Sequence, residues 1–107
     1  MNTKEKKDKA EDRRLKKAYG VDLSYRNKLE KDQKNKCWVC GRPPKRLKLA
    51  LDHNHKTNVV RGLLCMTCNR KIIGLIEKYK IPVKRIVEYF QKFDPSNIVL
   101  KGRSEIR

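Results

Sequence analysis

CWVCGRPPKRLKLALDHNHKTNVVRGLLCMTCNRK, residues 37–71, is the stretch whose reading decides the fold. It holds two Cys-x-x-Cys pairs, Cys37 with Cys40 and Cys65 with Cys68, and 24 residues lie between them. Two such knuckles can place four thiolates tetrahedrally around one zinc ion, which favours soft ligands in that geometry. Two disulfides are the competing use of four cysteines. The paired spacing favours zinc. So does the N-terminus, MNTKEKKDKAEDRR, which is basic but has no apolar segment behind it and therefore reads as no export signal. Four thiolates close the coordination sphere, so such a zinc is structural and any catalysis must come from other residues.

Between the knuckles, the Pro-Pro of RPPKR excludes helix. Leu47, Leu49 and Leu51 alternate, which predicts a short strand with one buried face. Residues 54–58 read as a turn and Val59 to Leu64 as the return strand, loosened at Gly62. Leu63 and Leu64 are expected in the core, and Trp38 packed on the first knuckle. From Met66 to about Tyr79 the pattern turns helical, with Ile72, Ile73, Ile76 and Tyr79 on one stripe. Ile81-Pro82 ends that helix, and Pro82 opens another carrying Val83, Ile86, Val87, Phe90 and Phe93. A short apolar run, Ile98 to Leu100, precedes a basic tail. Upstream, residues 3–18 read as a solvated helix or frayed arm, broken at Gly20. Ser24 is placed to cap a helix over about 25–35, with Tyr25 and Leu29 facing inward.

The whole chain has 107 residues, with 29 Lys and Arg against 12 Asp and Glu, a formal net charge of +17. Charged residues make up 38% and hydrophobic ones 37%, so the core is thin and a staple such as zinc is needed. No apolar run is long enough to span a membrane, and no phosphate-loop pattern appears. The cytoplasm is the expected setting. So basic a chain attracts polyanions, nucleic acid above all. Residues 37–76 carry eight basic side chains and a single acidic one, Asp52. Asp52-His53-Asn54-His55 follows the leucine strand, and Asn69 follows the last cysteine. Zinc holding the knuckles together could bring Asp52 close to Asn69, a carboxylate and an amide that suit a hard divalent cation such as magnesium.

CWVCG, LDHNH, VRGLLC and CNRK, in this order, resemble the HNH (ββα-metal) endonucleases, and more narrowly phage recombination endonuclease VII. YGVDLSYRNKLEKDQKNKC is similar to the helix that precedes the first knuckle in that family. The resemblance covers about residues 19–76. It implies an α+β fold, a small zinc-stabilised ββα-metal (His-Me finger) core with flanking helices. Residues 1–18 would be a basic helix or arm, 19–80 the nuclease domain, and 81–107 a C-terminal helix and basic tail.

The resemblance further implies that Cys37, Cys40, Cys65 and Cys68 bind structural zinc. Asp52 and Asn69 would hold catalytic Mg2+ or Mn2+, His53 would act as general base, and His55 would support the site near the scissile phosphate. The products would be 5′-phosphate and 3′-hydroxyl ends. Asn54 or Asn58 could orient the His53 ring. The sequence departs from the family pattern at Lys56, where an acidic residue often follows the second histidine. It departs again at Ile72, where some members have a carboxylate. Arg42, Lys45, Lys56, Arg61 and Arg70 are candidates for phosphate contact. The expected partner is DNA, cut as a monomer or homodimer in the host cytoplasm if the chain is phage-encoded, with phage packaging or replication proteins as further partners. A branched-DNA (Holliday junction) resolvase is the alternative within the enzyme class. A non-catalytic zinc-stabilised DNA-binding accessory protein is the alternative outside it.

Overall fold

The computed structural model describes residues 2–94, 96 and 98–101. In chain order the elements are α1 (Thr3–Tyr19), α2 (Leu23–Asp32), β1 (Ala50–His53), β2 (Val60–Leu64), a π-helical segment (Cys68–Ile73) that runs into α3 (Gly74–Lys78), α4 (Val83–Phe93) and α5 (Ile98–Lys101). This is the expected α+β class, a β-hairpin followed by helix. The chain divides into two compact units, Met1–Met66 and Thr67–Arg107. The basic tail expected at 102–107 lies outside the described residues.

In the first unit α1 is a capped helix, not a frayed arm. The Asn2 side chain accepts the Glu5 N–H at 2.8 Å, and Gly20 closes the C-terminus in the left-handed region (φ 72°) that glycine adopts without steric cost. Leu15 is fully buried. The next helix starts earlier than Ser24 would have it, because Asp22 is the cap and accepts the Tyr25 N–H at 2.9 Å. Asp12 of α1 accepts the Leu23 N–H at 2.9 Å and pairs with Lys16, and these two contacts, the amide first, hold its carboxyl below the usual range.

The buried side chain of α2 is Arg26, not Tyr25 or Leu29. It is 5% exposed, and its guanidinium donates to the Leu49 carbonyl at 2.6 Å and to Glu30 at 2.8 Å. A buried cation is tolerable only when its donors are met in this way.

The hairpin pairs Ala50 with Leu64, Leu51 with Leu63 and His53 with Val60, antiparallel. Of the three alternating leucines only Leu49 is buried (3% exposed), while Leu47 is 65% exposed. The strand begins at Ala50 because its partner strand ends at Leu64, where the chain leaves for the second knuckle, so nothing remains for residues 47–49 to pair with. Leu63 and Leu64 are buried as expected. The turn is built by Asn54, whose Oδ1 accepts the N–H groups of Lys56 and Thr57, and by Asn58 at φ 61°.

Gln33, just past α2, acts as a short surrogate strand on β2. Its Oε1 accepts the Leu63 N–H and its Nε2 donates to the Leu63 carbonyl, both at 2.9 Å, while Nε2 also donates to Lys36 O. A Cβ at Gly62 would lie 3.1 Å from Gln33 Oε1, so the glycine admits this close approach.

In the second unit the helix expected over 66–79 opens on a wider coil. The Gly74 N–H donates to Asn69 O, five residues back. A Cβ on Gly74 would sit 3.3 Å from that oxygen. Pro82 precedes α4, whose Ile86, Val87 and Phe90 are half-buried, whereas Val83 and Phe93 at its ends are exposed.

Gln33→Ala removes three hydrogen bonds and leaves the buried Leu63 N–H without the partner it has from Gln33. It should cost about 1–3 kcal/mol, read as a lower denaturant midpoint of zinc-loaded protein with unchanged m-value.

Candidate functional site

The first feature is the sulfur cluster. The Sγ atoms of Cys37, Cys40, Cys65 and Cys68 all lie within 4.8 Å of one another, and no disulfide joins them. Cys40 Sγ and Cys65 Sγ are 3.9 Å apart. Bonded sulfurs stand at about 2.05 Å. Four sulfurs held tetrahedrally at a Zn–S distance of about 2.3 Å stand about 3.8 Å apart. The donor set and its spacing therefore fit zinc and not a disulfide.

The backbone shapes the first knuckle. Cys37 N–H donates to Arg42 O at 2.9 Å and Gly41 N–H to Cys37 O at 2.8 Å, with Gly41 left-handed (φ 72°). Burial pushes the Cys37 thiol up. The amides of Cys40, Cys65 and Val39, together with the Cys40 thiol, more than offset this and bring it down to about 7, toward the thiolate a metal requires. Trp38 does not pack on the knuckle as expected but is 75% exposed, its N–H donating to Leu63 O at 3.3 Å. Only its backbone joins the hairpin.

The second feature is the end of the hairpin. Asp52 and His53 are the last residues of β1, and His55 stands in the turn. The His53 ring contacts the rings of His55 (centroids 4.5 Å apart) and Tyr19 (4.9 Å). Asp52 is 6% exposed and is gripped by Arg61 through Nε to Oδ2 at 2.7 Å and Nη2 to Oδ1 at 3.0 Å. Arg61 Nη2 also donates to the His53 carbonyl at 3.2 Å. Arg61, expected among phosphate contacts, is thus turned onto Asp52. A carboxylate offers about four lone-pair positions, more than two N–H groups occupy, so Asp52 still fits a hard cation such as Mg2+.

Asn69, the other candidate ligand, is half-buried in the π-helical segment of the second unit, directly after Cys68. Arg42, Lys45, Lys56 and Arg70 are all exposed. Neither asparagine suggested for orienting His53 is directed to it. Asn54 holds the turn, and Asn58 Nδ2 donates to Ala18 O at 3.0 Å, tying that turn to the end of α1. Tyr19 and Gln33 are absent from the sequence-derived site. Gly62 was the one available signal, a gap in a strand that proves to admit the Gln33 amide.

One zinc per chain is the expected stoichiometry by atomic absorption. Its removal with a strong chelator should abolish the hairpin's backbone signals in NMR, with recovery on zinc addition. A chelated protein with unchanged spectra would contradict a structural zinc.

The recombination endonuclease VII family model matches residues 12–92. The chain is similar to the Gene 59 protein of Mycobacterium phage D29, 36% identical over 75 residues, which are 69% of this chain and 46% of that protein. It is likewise 36% identical over 72 residues to the Gene 59 protein of Mycobacterium phage L5, covering 66% and 44% of the two chains. The match thus spans just under half the length of these relatives. No solved structure gives a significant match. The four-cysteine cluster stands within the matched span, and so does the Asp-His strand end. The chain belongs to the recombination endonuclease VII family.

Proposed function

We propose that this chain is a metal-dependent HNH-type DNA endonuclease that hydrolyses phosphodiester bonds, nicking or cutting both strands. The observation that carries this reading is the placing of Asp52, His53 and His55 together at one end of the hairpin in a chain of the endonuclease VII family. The cysteine cluster is a closed sulfur set, so the catalytic work falls to the hairpin end and to Asn69.

Asp52 and Asn69 would hold the divalent cation through oxygen atoms. A bound Mg2+ or Mn2+ supplies Lewis-acid polarisation of the phosphate and help for the leaving oxygen. His53 takes a proton from the attacking water as the new O–P bond forms. The bond from phosphorus to the 3′ oxygen breaks, and that oxygen is protonated, leaving 5′-phosphate and 3′-hydroxyl ends. Ring contacts with Tyr19 and His55 hold the imidazole in place, and His53 is half-buried, so part of it stays open to solvent and substrate. The +17 charge draws duplex DNA without regard to sequence. Arg42, Lys45, Lys56 and Arg70 are exposed and free to meet phosphates. No described helix is long and apolar enough to cross a membrane.

Zinc-loaded protein should nick supercoiled plasmid with Mg2+ or Mn2+ and stop with EDTA. His53→Ala should lower the rate by about 100- to 10,000-fold while DNA binding and zinc content persist. Full activity in that variant contradicts the general-base role. DNA that is shifted but never cut by the wild type marks a non-catalytic binding module. A parallel comparison of a linear duplex with a four-way junction tells a general nuclease from a junction resolvase.

A further inference from the structure

We propose that Arg61 is a positioning residue of the active site and not one of its phosphate contacts, and that a β-bulge in the hairpin puts it there. This rests on the nuclease reading above. Leu51 pairs with Leu63, so a regular antiparallel ladder would set Asp52 opposite Gly62 and send Arg61 to the other face. The next observed pair, His53 with Val60, is displaced by one residue. Asp52 alone therefore faces both Arg61 and Gly62. The extra residue on β2 re-aims the Arg61 side chain onto the face that carries Asp52.

Gln33 supports the strand beside the bulge. It holds the Leu63 N–H and C=O at 2.9 Å, and a Cβ at Gly62 would lie only 3.1 Å from its Oε1, a tighter contact than most side chains make. From there Arg61 directs hydrogen bonds onto both Asp52 and His53. Two hold the oxygens of the buried Asp52 carboxylate, at 2.7 and 3.0 Å, and one holds the His53 carbonyl at 3.2 Å. The planar guanidinium fork thus sets the plane of the carboxylate and the backbone of the neighbouring imidazole with one side chain. Lysine is a point charge and cannot reproduce a bidentate grip. A phosphate contact and a clamp make different demands: the first needs charge alone, the second needs the fork.

The test uses the full zinc-loaded chain with Arg61→Lys and Arg61→Gln. Steady-state cleavage is measured with Mg2+, and DNA affinity with EDTA across a salt series. Zinc content and thermal unfolding are recorded in parallel. The expected result is a kcat about 100-fold lower in both variants, with KM within about twofold and zinc retained. The salt slope of DNA binding should not change in Arg61→Gln. Wild-type kcat in Arg61→Lys overturns the proposal. So does a salt slope smaller by about 1 in Arg61→Gln with kcat intact, the signature of a lost phosphate contact. Loss of the zinc-loaded fold in both variants also overturns it, because Arg61 would then be purely structural. Failure of the wild type to cleave any DNA overturns the nuclease reading and this clamp with it. Failure of the variants to differ from an active wild type overturns the clamp alone.

Discussion

Four thiols within 4.8 Å of one another are the constraint on which the rest of this chain depends. Among the described residues the buried apolar set is Leu15, Leu49, Leu63 and Leu64, joined by Cys37 and Cys68 from the cluster itself. Burying one leucine contributes about 1.5–3 kcal/mol, and ordering each residue of the chain costs a comparable amount in backbone entropy. So few buried leucines cannot hold a chain of this length. Structural zinc in small finger peptides is worth about 10–16 kcal/mol at neutral pH, which is the scale required. Cys37 is both a core residue and a member of the cluster, so a metal bound there would couple its binding to folding.

The second support is polar. Arg26 reaches the Leu49 carbonyl, Gln33 grips Leu63, Asp12 of α1 accepts the Leu23 N–H at the start of α2, and Asn58 ties the turn to α1. Each replaces an apolar contact that this composition cannot supply. Among the described residues no buried side-chain nitrogen or oxygen lacks a partner. Such contacts are short-range and directional. They add little net stability apiece, but they specify geometry in a way that apolar burial does not. That suits a hairpin whose end must hold a carboxylate and an imidazole in fixed relation.

The hairpin end shows how the two supports meet. Gln33 spans from Lys36, next to the first cysteine, to Leu63 beside the bulge. Through it the position of the first knuckle bears on the strand that carries Arg61, and through Arg61 on Asp52 and His53. The first knuckle of the cysteine cluster and the candidate catalytic residues of the first unit are thus linked by a short run of hydrogen bonds.

Much of this was legible in the residues. The Cys-x-x-Cys pairs, the hairpin between them and the helix beyond the second pair follow from spacing and periodicity, which depend on near neighbours in the chain. The family followed from the order of CWVCG, LDHNH, VRGLLC and CNRK. Other expectations were overridden. Asp22 took the cap from Ser24, Leu47 fell outside the strand, and Trp38 stayed in solvent. Arg26 was buried where Tyr25 and Leu29 were expected. The missed features share one cause. A polar residue such as Gln33, Arg26 or Arg61 has many partners within reach, and its choice depends on what the fold brings near it from 9 to 30 positions away. By itself the sequence determined the staple and the elements, because ligand chemistry and hydrophobic period are written locally. Only the tertiary structure decided that Arg61 turns to Asp52, because one bulged residue sets the face of the hairpin to which it belongs.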